Sequence, residues 1–113
     1  MRIIPAFLLA LGVAGPALSG IVIANPFNDQ LLRLSRPQQE GVLRQAITRD
    51  KQRCGQISGG AYRGRYGNLA MWVAHCKPGG DYAVFIGPHG EAQVRSCRDT
   101  RELKLPSCGK VGR

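Results

Sequence analysis

Residues 69–97 read LAMWVAHCKPGGDYAVFIGPHGEAQVRSC, three apolar runs separated by two connections rich in Gly and Pro. The runs at 69–76, 82–87 and 91–97 have the length and the β-branched and aromatic content typical of strands. The connections place Pro and Gly where tight turns need a fixed or a positive φ. This segment therefore predicts three consecutive antiparallel strands.

The two turns also predict which residues face each other. The expected pairs are Ile86 with Ala92, Val84 with Val94, Trp72 with Ile86, Ala74 with Val84 and Cys76 with Tyr82. All of these residues fall on one face, because side chains alternate along a strand. The opposite face carries a mixture of apolar and polar residues: Met71, Val73, His75, Phe85, Gln93 and Arg95. We expect one dry face under a helix and a half-apolar outer face.

That helix is predicted upstream, from Pro37 to about Arg53. Ser35 and Gln38 have the spacing of a capping box. Apolar residues then repeat at helical spacing, at Val42, Leu43, Ala46 and Ile47. Gly55 can end the helix in the left-handed conformation, and Cys54 would share the buried face of Ile47.

Between the helix and residue 69 the sequence predicts one further, irregular strand at 57–62, followed by a turn bracketed by Gly64 and Gly67. The predicted fold class is thus α+β, with one main helix packed on a three- to four-stranded antiparallel sheet.

The four cysteines, Cys54, Cys76, Cys97 and Cys108, predict two disulfides. A small domain with few aromatic residues has a marginal core, and disulfides commonly compensate in exported chains. The spacing lacks the Cys-x-x-Cys pair of most four-cysteine zinc sites, so we expect no metal and no other cofactor. Cys54 on the helix and Cys76 on the dry face should meet across the layers. Cys97 and Cys108 should then pair, since Pro106 can turn the chain back.

Residues 1–24 have the order of a secretory signal peptide. Arg2 precedes an uncharged stretch from Ile3 to Ala24, and small residues allow cleavage after Ser19 or, as we favour, after Ala24. An uncleaved anchor is the alternative, although the prolines and glycines make a poor spanning helix. The domain at 25–113 is then periplasmic or secreted, without a stable membrane anchor.

The chain is strongly basic, with 16 Lys and Arg against seven Asp and Glu and a net charge of +9. Loss of Arg2 with the signal leaves +8, so the charge belongs to the domain. The segment from Gly59 to Gly67 interleaves Arg63 and Arg65 with Gly and Tyr, and these two arginines are candidate anion-binding residues. The alternative is a glycine-rich connection whose arginines are simply solvated. In an exported domain, no specific nucleic-acid partner is expected.

Several of these features together resemble a loose group of short exported bacterial proteins of unknown function. They are the Trp72-x-x-x-Cys76 strand, the glycine turn, the Tyr82-x-Val84-x-Ile86 strand and the Cys97/Cys108 pair. The order of helix and sheet is also similar to half of a PepSY-type domain. The resemblance covers about residues 54–108 and implies export, a helix on an antiparallel sheet and two disulfides. It implies no catalytic residue.

The sequence favours a protein that is not an enzyme. His75 and Cys76 are adjacent on a strand and point to opposite faces, and His89 lies at a turn. No Gly-x-Ser-x-Gly motif occurs, and the acidic residues are scattered. We expect a binding or accessory module of the bacterial cell envelope, whose partner is a protein or an anionic envelope component. The alternative is a basic protein that binds polyanions or membrane surfaces, with an antimicrobial role as one form of that activity.

The signal peptide gives the first testable prediction. Exported protein should begin at Gly20 or Asn25, because only these sites follow suitable small residues. N-terminal sequencing of the protein from the exported fraction measures this. Intact Met1 in the membrane fraction would instead support the anchor.

Overall fold

The computed structural model describes residues 24–111, which form an α+β fold with a four-stranded antiparallel sheet. The predicted signal peptide lies outside the described residues, apart from Ala24. The elements in chain order are α1 (Pro26–Arg33), α2 (Arg36–Arg49), β1 (Gln56–Tyr66), β2 (Leu69–Lys77), β3 (Gly80–Ile86), β4 (Ala92–Ser96) and α3 (Cys97–Glu102). The strands follow one another in the sheet, in the order β1-β2-β3-β4.

Helix α2 begins as predicted, with the complete capping box of Ser35 and Gln38. It ends at Arg49, earlier than the predicted Arg53, because Lys51 and not Gly55 adopts the left-handed conformation, with φ of 64°. The amides of Lys51 and Gln52 donate to the carbonyls of Thr48 and Ile47, the two bonds of a Schellman motif. Cys54 therefore lies in the connection to β1, although it is buried as expected.

Helix α1 was not predicted as a helix, although its start has a recognisable signal. Asn25 caps it, with its side-chain oxygen accepting from the amide of Asn28, and Pro26 occupies the first helical position. Asn25 also donates to the carbonyl of Ile86 at 2.9 Å. The buried carbonyl oxygen of the Asn28 side chain accepts from the indole nitrogen of Trp72 at 2.7 Å. These bonds attach α1 to the sheet.

The dry face of the sheet packs against α1 and α2. Its core joins Leu31, Leu43 and Ile47 of the helices to the alternating residues of the strands, Ala70, Trp72, Ala74, Cys76, Tyr82, Val84, Ile86 and Val94. The residues predicted for this face belong to this core, except Ala92, which is exposed. The prediction of one main helix corresponds to α2, and α1 adds a second, shorter one.

The register between β3 and β4 is as predicted, with Ile86 opposite Ala92 and Val84 opposite Val94. Between β2 and β3 the predicted register is wrong by two residues, since Trp72 faces Val84 and not Ile86. Strand β2 continues to Lys77 and β3 begins at Gly80, so the connection between them is shorter than the predicted five-residue loop. Because the error is even, each side chain still lies on its predicted face.

Strand β1 is longer than predicted because two β-bulges absorb its glycines. The register shifts once between Ile57 and Gly59 and again between Tyr62 and Gly64. Gly64, expected in the turn, lies in the second bulge with φ of 114°. The turn itself is formed by residues 67–68.

The outer face carries the predicted mixture of apolar and polar residues, and the C-terminal segment covers its apolar part, which the sequence did not predict. Met71, Val73, Ala83 and Phe85 form a second core with Cys108 and Val111. The chain after α3 returns over the sheet, where the disulfide between Cys97 and Cys108 holds it. The sheet therefore has a buried face on both sides.

The disulfides pair as predicted, Cys54 with Cys76 and Cys97 with Cys108. The first lies in the helix-side core, and Cys108 of the second is buried in the outer core. By the loop-entropy argument, each stabilises the domain by about 3 kcal/mol. The first disulfide thus joins the connection after the second helix to β2, and the second joins the start of α3 to the C-terminal segment.

The Asn28–Trp72 hydrogen bond gives a prediction for stability. Asn28→Ala should lower the free energy of unfolding by about 2 kcal/mol, because the buried indole N–H loses its acceptor. Urea denaturation measures the loss. The matched control is Gln39→Ala, which removes a less buried amide bond to the carbonyl of Leu31 and should cost less than about 1 kcal/mol. Equal losses in the two variants would show that the buried Asn28–Trp72 bond stabilises the fold no more than the less buried Gln39–Leu31 bond.

Candidate anion-binding groove

A groove of about 480 Å³ lies beside β1, which is an edge strand of the sheet. Residues 58–61 form its floor, and their side chains are small or absent. Three cations line it: Arg36, Arg63 and Lys110. We refer to this surface as the basic groove.

Each cation reaches the basic groove from a different part of the chain. Arg36 is the exposed first residue of α2, which packs on the dry face. Arg63 lies at the second bulge of β1. Lys110 is exposed in the C-terminal segment, two positions after Cys108. The three therefore converge only in the folded, disulfide-bonded chain.

Arg63 joins the C-terminal segment to β1. Its Nε donates to the carbonyl oxygen of Cys108 at 3.0 Å, and its Nη2 donates to the carbonyl oxygen of Lys110. A guanidinium has five N–H groups, so three remain for another acceptor. The arginine has a structural role and still contributes positive charge to the groove.

None of the described residues that line the basic groove carries a carboxylate. For Arg63 and Lys110 the sequence explains this, since it has no acidic residue between Asp50 and Asp81 and none after Glu102. Glu40 follows Arg36 by four residues on α2 but does not line the groove. The positive charges therefore lack a neutralising side chain within the groove. Such a surface attracts anions, and its effect weakens as salt screens the charges.

Arg65, the second predicted anion-binding residue, is not part of this groove. It pairs with Ala70, a residue of the helix-side core, whereas Arg63 contacts the segment on the outer face. The bulge between them changes the alternation along β1. Their spacing in the sequence had grouped the two arginines. Spacing could not show that Arg36 and Lys110 lie near Arg63, because both are distant from it in the chain.

In the described structure, the other residues with reactive side chains have local bonding partners. Nδ1 of His75 is paired with the carboxylate of Asp81, directly across from it on β3. His89 is exposed in the β3–β4 turn, where its amide donates to the carboxylate of Glu91. All four cysteines form disulfides. Residues 24–111 contain no group of three or more His, Cys, Asp or Glu arranged to hold a metal.

Two further depressions differ from the basic groove in their chemistry. One, of about 360 Å³, lies between α2 and the β3–β4 hairpin and has both Arg49 and the acidic Asp50 and Glu91 in its lining. The other, of about 240 Å³, is largely apolar, and Arg95 is the only cation among its described lining residues. The basic groove alone among these three concentrates charge of one sign.

Comparison with protein-family models, with curated proteins and with solved structures finds no match. The resemblance to half of a PepSY-type domain therefore stays a prediction. None of the helices within residues 24–111 combines the length and apolar character needed to cross a membrane.

The contacts of Arg63 predict a measurable cost. Arg63→Ala should lower the free energy of unfolding by about 1 kcal/mol, because the C-terminal segment loses two charge-assisted bonds near the surface. Arg98→Ala removes the same charge from an exposed position of α3 and should change stability by less than about 0.5 kcal/mol. Thermal or urea unfolding of the two variants provides the comparison. If both behaved alike, the link from β1 to the C-terminal segment would contribute nothing to folding.

Proposed function

We propose that the protein is a non-enzymatic binding or accessory module of the bacterial cell envelope, periplasmic or secreted, that holds an anionic group of its partner in the basic groove. The observation that carries the proposal is the convergence of Arg36, Arg63 and Lys110 beside an exposed strand without a carboxylate. The signal-like N-terminus supports export, and disulfides are typical of proteins that fold in oxidising compartments.

The groove suits a carboxylate or phosphate group. Arg36 and Lys110 are exposed, so they can turn toward a ligand without breaking a core contact. Arg63 is already fixed by its bonds to the C-terminal segment, so little side-chain freedom is lost when its remaining N–H groups bind. Hydrogen bonds from charged donors to such anions are among the stronger polar contacts in proteins.

A binding role also agrees with where the reactive residue types are placed. The cysteines stabilise the two cores, and His75 bonds within the sheet to Asp81. Catalysis by a nucleophile or a general base needs such groups aimed together at a reacting atom. Here they serve separate local contacts.

The second candidate is a basic protein that binds polyanions or membrane surfaces through its overall charge. Exposed cations outside the groove favour it, among them Arg98, Arg101 and Lys104. In this case, binding depends on total charge and weakens steeply with salt, whichever cations are removed. A groove-based interaction depends on particular positions.

A comparison of two double variants with the same charge change separates the candidates. Arg36→Gln with Lys110→Gln should weaken binding of tripolyphosphate and of a glutamate-rich peptide by about five- to tenfold at low salt, because both groove contacts are lost. The control is Arg98→Gln with Arg101→Gln, which should change affinity by less than about twofold. Isothermal titration calorimetry at low and physiological salt provides the affinities.

The outcomes differ clearly. Equal losses in the two double variants would assign binding to overall charge and favour the second candidate. Failure of the unmodified protein to bind either anion would overturn the proposed role of the groove.

A further inference from the structure

The floor of the basic groove is also an unpaired sheet edge. Strand β1 has β2 on one side, and no other described strand on the other. An edge strand presents backbone N–H and C=O groups that an additional strand can pair with. The residues on the groove floor, 58–61, have small side chains or none, so they do not obstruct the strand edge from the side. On the helix side of Gly60 the space is taken by Leu43.

The bulges of β1 limit this edge to a short site. Between them, Gly59–Tyr62 pair with Trp72–His75 without a shift of register. Bulges and edge cations often protect sheets from unwanted pairing. In β1, however, Arg63 is turned to the C-terminal carbonyls, so it does not cover the regular stretch. The bulges act at the ends of the site. Between them Gly59 is buried and residues 60–62 are half-buried, but no described strand pairs with their outer edge.

The opposite edge of the sheet, strand β4, has less backbone available for pairing with an additional strand. Strand β4 has only five residues, and α3 follows it directly. One of these five residues, Arg95, donates through Nη1 to the carbonyl of Val94 in the same strand. Strand β1, with 11 residues, is the longer edge and the one that adjoins the basic groove.

Charge selects among occupants of this edge. A second copy of the chain pairing through β1 would bring two basic grooves together, and like charges that face each other oppose association. A partner with Asp or Glu side chains would meet Arg36 and Lys110 favourably. Strand addition supplies affinity through the backbone, and flanking side chains supply specificity.

We infer that the edge of β1 binds an extended, acidic peptide segment of a partner protein as an additional strand. Backbone hydrogen bonds form along Gly59–Tyr62, and carboxylates of the segment bind the cations that line the groove. This inference rests on the proposed function, because it names the partner of the same groove. It adds the requirement for peptide backbone pairing, which a free anion cannot meet.

The test changes the ligand, so that folding of the protein is never in question. The probe is a seven-residue peptide in which Glu alternates with Val and Thr, titrated into ¹⁵N-labelled protein purified after export. Two matched peptides of the same sequence have N-methyl groups on alternate residues, one in each phase, so that one or the other removes the donors facing β1. Tripolyphosphate is titrated separately as a free anion.

We expect the unmodified peptide to shift the amide signals of residues 58–63. One N-methylated peptide should bind at least about tenfold more weakly than the other, a difference of about 1.4 kcal/mol. The Arg36→Gln and Lys110→Gln double variant should weaken binding of the unmodified peptide as well.

Three results would overturn the inference. If all three peptides bind equally while tripolyphosphate also binds, the groove takes anions without strand pairing, and the proposed function survives. If neither peptide nor tripolyphosphate binds, both proposals fail. If the signals of residues 58–63 shift with protein concentration alone, and sedimentation equilibrium shows a dimer, a second copy occupies the edge instead.

Discussion

The buried indole of Trp72 is the constraint around which the domain is built. Its side chain is among the largest that are fully buried, and an indole N–H in a core needs an acceptor. Asn28 of α1 supplies it, and Asn25 at the start of the same helix bonds to the carbonyl of Ile86 at the end of β3. The ring also lies 5.3 Å from that of Tyr62, centre to centre. One side chain thus connects β1, β2 and α1, and it fixes where the shorter helix sits.

The two faces of the sheet are covered by different kinds of structure. On one face, amphipathic helices supply Leu31, Leu43 and Ile47 to a continuous core. On the other face, an irregular C-terminal segment supplies only a few apolar side chains, Leu105 and Val111 among them. Such a segment buries little surface of its own, so its position depends on the Cys97–Cys108 disulfide and on Arg63. Small domains use covalent links where the hydrophobic core is insufficient.

The sequence predicted the features that depend on local periodicity. The capping box at Ser35, the faces of Trp72 and Val84, and both disulfides follow from spacing along the chain. Features that depend on the third dimension were missed. Lys51 ends α2 because two backbone bonds favour that geometry, although Gly55 is the better residue for it by type. The cover on the outer face, and the meeting of Arg36 with Lys110, arise from the path of the C-terminal segment, for which no periodic signal exists.

The geometry of the basic groove depends on the Cys97–Cys108 disulfide. Lys110 and the carbonyls that hold Arg63 both lie within a few residues of Cys108, so oxidation of this pair helps to place two of the three groove cations. Reduction of the Cys97–Cys108 disulfide would therefore loosen one side of the basic groove, because that bond fixes the segment that carries Lys110 and the two carbonyls bonded to Arg63.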